Sequence, residues 1–155
     1  MEVVADTWDA HYRRMQRSYE KLAKHVAPGD YNSEHYDDDL YHFFQDAWHL
    51  KDWIKEDPAA AAKAPNIEDD LRNVDALMIA ADLTNGTKHG GEITKTIRKG
   101  AAIISKERIV RLGGSPTYEN RWHVTLSDGT KTTAESVVEE VMKGWDSLLK
   151  SYGLI

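Results

Sequence analysis

The sequence predicts an α+β fold, mostly helical: an antiparallel bundle of about four helices with a small antiparallel β-hairpin or sheet before the C-terminal helix. Three observations predict it. Through positions 1–90, apolar residues recur at the helical period, in segments that open on capping residues and close on proline or glycine. After Gly91 the period shortens to two, and isoleucine and valine become common. From Thr132 the helical period returns. At 155 residues the chain is expected to form one domain, 1–155. Its parts are a helical portion 1–90, a hairpin insert 91–131 and a C-terminal helix 132–155.

The first helix is expected to open at Asp6, whose carboxylate caps the first turn, and to stop at Pro28-Gly29-Asp30. Trp8, Tyr12, Met15, Tyr19, Leu22 and Val26 form its apolar stripe, and Arg14, Arg17, Lys21 and Lys24 its outer face. That basic face reads either as a phosphate-contacting ridge or as a solvated surface paired with Asp37 to Asp39. The second helix runs from the cap Ser33 to Asp57, with Leu40, Phe43, Phe44, Ala47, Leu50 and Ile54 along one side. Pro58 and the alanines after it favour a short helical turn, closed by Pro65. A third helix is expected from the cap Asn66, through Ile67, Leu71, Val74, Met78 and Ala81, fading at Gly86. Short connections make antiparallel neighbours the natural outcome.

Ala101 to Leu112 and Tyr118 to Leu126 read as strands, joined by Gly113-Gly-Ser-Pro116, with Asp128-Gly129 as a second turn signal. Glu92 to Arg98 reads as a further strand or as a loop. The last helix is expected to open on a capping box of Thr132 and Glu135 and to end at Gly153. Its stripe is Ala134, Val138, Val141, Trp145, Leu148 and Tyr152.

The absence of cysteine excludes disulfides, thiolate nucleophiles and sulfur-ligated metals, and points to the cytoplasm. No apolar run reaches membrane-span length, and Met1-Glu-Val-Val-Ala-Asp lacks the regions of a signal peptide. No membrane partner is expected. The net charge of -6 argues against indiscriminate nucleic-acid binding, but charge is uneven along the chain. Between Lys88 and Arg111, Lys95, Arg98, Lys99, Lys106 and Arg108 add to those two against Glu92 and Glu107 alone. Between Asp30 and Asp39 the charges are all acidic.

Two stretches carry candidate chemistry. On the second helix, His42, Asp46, His49 and Trp53 fall at i, i+4, i+7 and i+11, a stripe apart from the apolar one. On the third, Asp82, Asn85, Lys88 and His89 lie toward its end. In antiparallel packing His89 comes nearer to His42 than to the far end of the second helix. His42, Asp46, His49, His89 and Asp82 are thus a candidate metal set, in which histidine with carboxylate suits zinc, iron or manganese. His42 and His49 stand roughly 10 Å apart along the helix, too far to share one ion easily. The alternatives are an acid/base site at His89, with Lys88 and Asn85 binding phosphate, or a hydrogen-bonded wet face.

The stretches His42-Phe-Phe-x-x-x-Trp-His-Leu-Lys-Asp-Trp53 and Asp82-Leu-x-Asn-x-x-Lys-His89 resemble an uncharacterised family of small bacterial and phage helical proteins. More loosely, they are similar to the HEPN group of toxin and defence ribonucleases. That group carries an arginine, a polar residue, then a histidine a few positions on. Asn85 and His89 match the last two; Thr84 stands in the arginine's place.

The resemblance implies a conflict-system protein of bacteria or phage that binds or cleaves RNA. As an enzyme it would be a metal-independent endoribonuclease using His89, Lys88 and Asn85, with no cofactor. Lys95, Arg98, Lys99, Arg108 and Arg111 would form the RNA-facing surface. The alternative is a non-enzymatic interaction protein, with a protein partner or a second copy of itself. Trp48, Trp53, Trp122 and Trp145 would then supply an interface rather than one small core. The third reading is the metal-binding protein.

Overall fold

The structure, a computed structural model, describes residues 6–24, 33–88, 103–114, 117–126 and 128–155. The elements in order are α1 (Trp8–Lys24), α2 (Ser33–Glu56), α3 (Pro58–Lys63), α4 (Ile67–Arg72) and α5 (Asp75–Lys88). They are followed by β1 (Ile103–Arg111), β2 (Thr117–Thr125), β3 (Lys131–Thr133) and α6 (Ala134–Ser151). The fold is the expected α+β arrangement of packed helices with a small antiparallel sheet before the last helix. The expected stop at Pro28 and the Glu92 to Arg98 segment lie outside the described residues.

The apolar stripe of α2 is the centre of the core. Leu40, Phe43, Phe44, Ala47, Leu50 and Ile54 are fully buried. Each large side chain among them contributes on the order of 1.5–3 kcal/mol relative to exposure. Around α2, a set of cross-contacts fixes the direction of every neighbour. His11, Ser18 and Lys21 of α1 meet Trp53, Asp46 and Asp39 of α2, so these helices run antiparallel. In α6, the Trp145 indole donates to the Ala47 carbonyl at 2.9 Å, while Tyr152 reaches Asp70 beyond it. Lys51 and Lys55, late in α2, pair with Glu68 of α4. The α5 helix therefore starts near the end of α2 and runs back toward its beginning, as antiparallel packing predicts. At Gly144 of α6 there is no room for more: an added Cβ would lie 2.9 Å from Val74 Cγ1.

The sheet order is β1-β2-β3, antiparallel throughout. In the first pairing, Ile104 stands opposite Val124 and Arg108 opposite Asn120. Val124 is fully buried, Ile104 and Trp122 pack on the core, and the Trp122 ring lies 5.4 Å from that of Tyr36. The sheet thus seats on the bundle where α2 begins. Its β1–β2 arm runs on to a tip at Leu112, which is 86% exposed.

Four local expectations are corrected. Thr7, not Asp6, caps α1: its carbonyl accepts from His11 N at 3.2 Å and its hydroxyl from Ala10 N at 3.4 Å. The single third helix is two, α4 and α5. Asn73 donates its side-chain amide to the Asp69 carbonyl, and the Asn73 and Val74 amides reach back only three residues, to Asp70 and Leu71. That tightened turn ends α4 while leaving the apolar stripe pointing inward. Asn66 makes no side-chain cap bond. The α6 cap is Thr133, whose hydroxyl accepts from Ser136 N at 3.1 Å; Thr132 pairs with Val124 in the sheet. The short turn at Pro58 forms as expected, with the Asp57 carboxylate accepting from Ala59 N and Ala60 N.

Candidate functional site

The polar stripe of α2 divides between seam and solvent. Asp46 is half-buried and accepts from Ser18 Oγ of α1 at 2.9 Å. Trp53 stacks on His11 of α1, centroids 3.8 Å apart and planes 13° from parallel. His42 is exposed, and so is His49, whose Nδ1 lies 3.4 Å from the Asp52 carboxylate. The stripe is therefore the line on which α1 docks, with its two histidines on the flanks. Among the described residues, no three His, Asp or Glu side chains come together as a cation requires. His89 lies outside the described residues, as do Lys95, Arg98 and Lys99.

Sequence reasoning missed His11, which is buried. A signal was present. Trp8, His11, Met15, Ser18 and Leu22 recur at three- and four-residue steps, the row that turns toward α2. Its Nδ1 lies 3.3 Å from the Arg14 guanidinium, and Nε2 has Asp6 Oδ1 at 3.9 Å. Burial first, then the Arg14 charge, hold the imidazole below the ordinary histidine range, against the pull of Asp6 and Asp46.

At the end of α5, Asp82 is fully buried, Asn85 is half-buried and Lys88 is the last helical residue. Thr84, standing where the ribonuclease group has arginine, is buried and donates its hydroxyl to the Ala80 carbonyl at 2.8 Å. A side chain turned inward and bonded to its own helix presents nothing to a phosphate. Because α5 runs back toward the start of α2, this end of α5 adjoins the sheet. Arg108 and Arg111 lie in β1, opposite Asn120 and Thr117.

The far end of α2 is tied differently. Lys51 is buried, its ammonium 4.6 Å from the Trp48 ring centroid, 2.7 Å from Asp52 and 3.3 Å from Glu68. Burial raises the pKa of Asp52 and Glu68, but hydrogen bonds and charge from Lys51, and for Glu68 from Lys55, outweigh it and leave both lowered. Tyr152 donates to Asp70 at 2.6 Å, and burial followed by that bond pushes its phenol far up.

All five tryptophans are used within the molecule. Trp145 is fully buried, Trp8, Trp48 and Trp122 pack on the core, and Trp53 covers His11. A groove of ≈ 740 Å³ follows α5 and α6, lined by Val74, Ile79, Val137, Gly144 and Leu148 among others. A second, of ≈ 350 Å³, lies between Tyr19, Leu22, Tyr36, Val138 and two glutamates, Glu135 and Glu139. Neither groove holds a histidine or any of the candidate catalytic, RNA-binding or metal-binding residues. No described helix is long and apolar enough to cross a membrane. Compared with protein-family models, curated proteins and solved structures, the chain matches none.

Proposed function

We propose that this is an RNA-binding helical protein whose β1–β2 arm, with the adjoining end of α5, forms the contact surface. The observation that carries the reading is the strand register. Positions paired across the strands share a face, so 106, 108, 110, 118 and 120 lie together, continuing outward the row whose base, Ile104, Trp122 and Val124, packs on the bundle. Those positions are Lys106, Arg108, Val110, Tyr118 and Asn120, two cations and an amide beside an aromatic residue. That pattern suits a single strand, whose phosphates take the charge and whose bases stack on rings. The arm is also basic on an acidic chain: Lys106, Arg108, Arg111 and Arg121 outnumber Glu107 and Glu119 between 103 and 125. Asn85 and Lys88 belong to the end of α5 that adjoins this sheet, and His89 follows them in sequence; a cleaving version of the reading rests on these three.

The test is anisotropy of a labelled single-stranded RNA titrated with protein at several salt concentrations. Affinity falls as salt rises, and Lys106→Glu with Arg108→Glu lowers the log–log slope by about 1 per phosphate contact removed. Binding independent of salt, or unchanged in the double variant, overturns it. Incubation of the same RNA in chelator, with His89→Ala beside it, separates a cleaving protein from a binding module.

A second reading rests on the groove along α5 and α6, whose apolar floor would suit a partner helix. Light scattering at micromolar concentration reads this directly, since a strict monomer leaves the groove without a second copy of the chain.

A further inference from the structure

We propose that His11, Arg14 and Trp53 form a proton-operated latch that holds the start of α1 on the end of α2, closed when the imidazole is neutral and loosened by acid. The argument begins with donor and acceptor chemistry. A guanidinium has only donors, so the 3.3 Å contact between Arg14 and His11 Nδ1 is a hydrogen bond only if Nδ1 accepts. The ring's one proton then sits on Nε2. Nε2 is buried without a hydrogen-bond partner, its closest carboxylate being Asp6 at 3.9 Å. Protonating Nδ1 would set an N–H against the guanidinium and exchange a bond for a repulsion.

Packing links that proton to the helix seam. The imidazole lies flat on the Trp53 indole at 3.8 Å, nearer the start of α1 than the two polar contacts of the same seam. Ser18 to Asp46 and Lys21 to Asp39 hold the same seam further along. Among the described residues, the charged groups that bear on His11 are Arg14 and Asp6 from its own segment and Asp46 from α2. The two carboxylates favour an imidazolium, as does the face of an indole. Burial and Arg14 oppose it, and they prevail.

The sign of the stability effect follows. The folded chain holds fewer protons on His11 than the unfolded chain does through the histidine range, so acid favours unfolding of this contact. The stabilisation is complete above the ordinary histidine pKa and is lost as pH falls through the lowered one.

Nitrogen-15 histidine spectra of the full chain, followed from pH 8 to pH 4.5, test the latch. The expected result is a His11 Nε2–H tautomer with a titration midpoint below the ordinary histidine value. Arg14→Gln should raise that midpoint, and Asp6→Asn should lower it further. Amide exchange at 8–15 should speed up through the same midpoint, and His11→Phe, which keeps a ring against Trp53, should remove that acid sensitivity. A protonated Nδ1 at neutral pH, a midpoint at or above the ordinary histidine value, or exchange indifferent to His11→Phe overturns the proposal. If His11→Phe perturbs the fold, the Arg14→Gln midpoint still decides.

Discussion

Where α2 ends, groups are bonded across elements around a buried lysine: Lys51 and the exposed Lys55 to Glu68, Tyr152 to Asp70, Lys63 to the Gly153 carbonyl. Where α2 begins, the carboxylates of Asp39 and Asp82 are themselves buried, and the basic β1–β2 arm leaves the bundle alongside them. The first end resembles a closure. Its bonds join α2, α3, α4 and the end of α6. At the second end the interior acids stand close to a basic arm, and Asp39 pairs with Lys21 of α1. Burying a carboxylate costs several kcal/mol before its partners compensate, by order of magnitude. The contrast teaches that a polar stripe on a helix is not in itself a site; what covers the stripe decides.

The largest expected effect comes from the side chain that ties α6 to α2 between the two ends. Trp145→Ala removes a fully buried indole and its bond to Ala47, and should cost about 3–5 kcal/mol. Urea unfolding measures it, and a loss below ~1 kcal/mol would show that α6 is not anchored at this point. Gly144→Ala comes next. The new methyl meets Val74, a stiff β-branched neighbour, and overpacking of about 1–3 kcal/mol exceeds the roughly 1 kcal/mol gained in helix propensity. Val74→Ala in the same chain should restore most of the loss; failure to do so would place the strain elsewhere.

Smaller effects sharpen the contrast between the ends. Tyr152→Phe at the closed end should cost about 1 kcal/mol, and so should Thr133→Ala at the sheet end, one through a lost bond to Asp70 and the other through a lost cap. Neither should alter RNA affinity if the arm is the contact surface. Lys55→Ala removes an exposed pair with Glu68 and should shift stability by less than about 0.5 kcal/mol. A much larger value would mean that the Lys51–Glu68–Lys55 group acts as one network.

Much of this architecture was legible in the chain itself. The α2 stripe, the short α3, the change of period after Gly91 and the return to helix before Ala134 are all local patterns. Hydrophobic spacing, capping chemistry and turn glycines act within a few residues, so they survive without knowledge of the neighbours. The candidate site was less legible. His42, Asp46, His49 and Trp53 share a face by spacing alone, yet Asp46 and Trp53 became the seam for α1 while the two histidines stayed in solvent.

Only the tertiary structure decided which face of α2 was covered, that His11 is a buried partner, and that Thr84 turns inward. It also decided that α4 ends at Asn73 rather than continuing. For the covered face of α2 and for His11 the physical reason is the same, while Asn73 and Thr84 bond locally, to the Asp69 and Ala80 carbonyls. An amphipathic helix specifies that one side must leave water, but the occupant of its second side comes from residues distant in sequence, as Ser18 comes to Asp46 and Trp145 to Ala47.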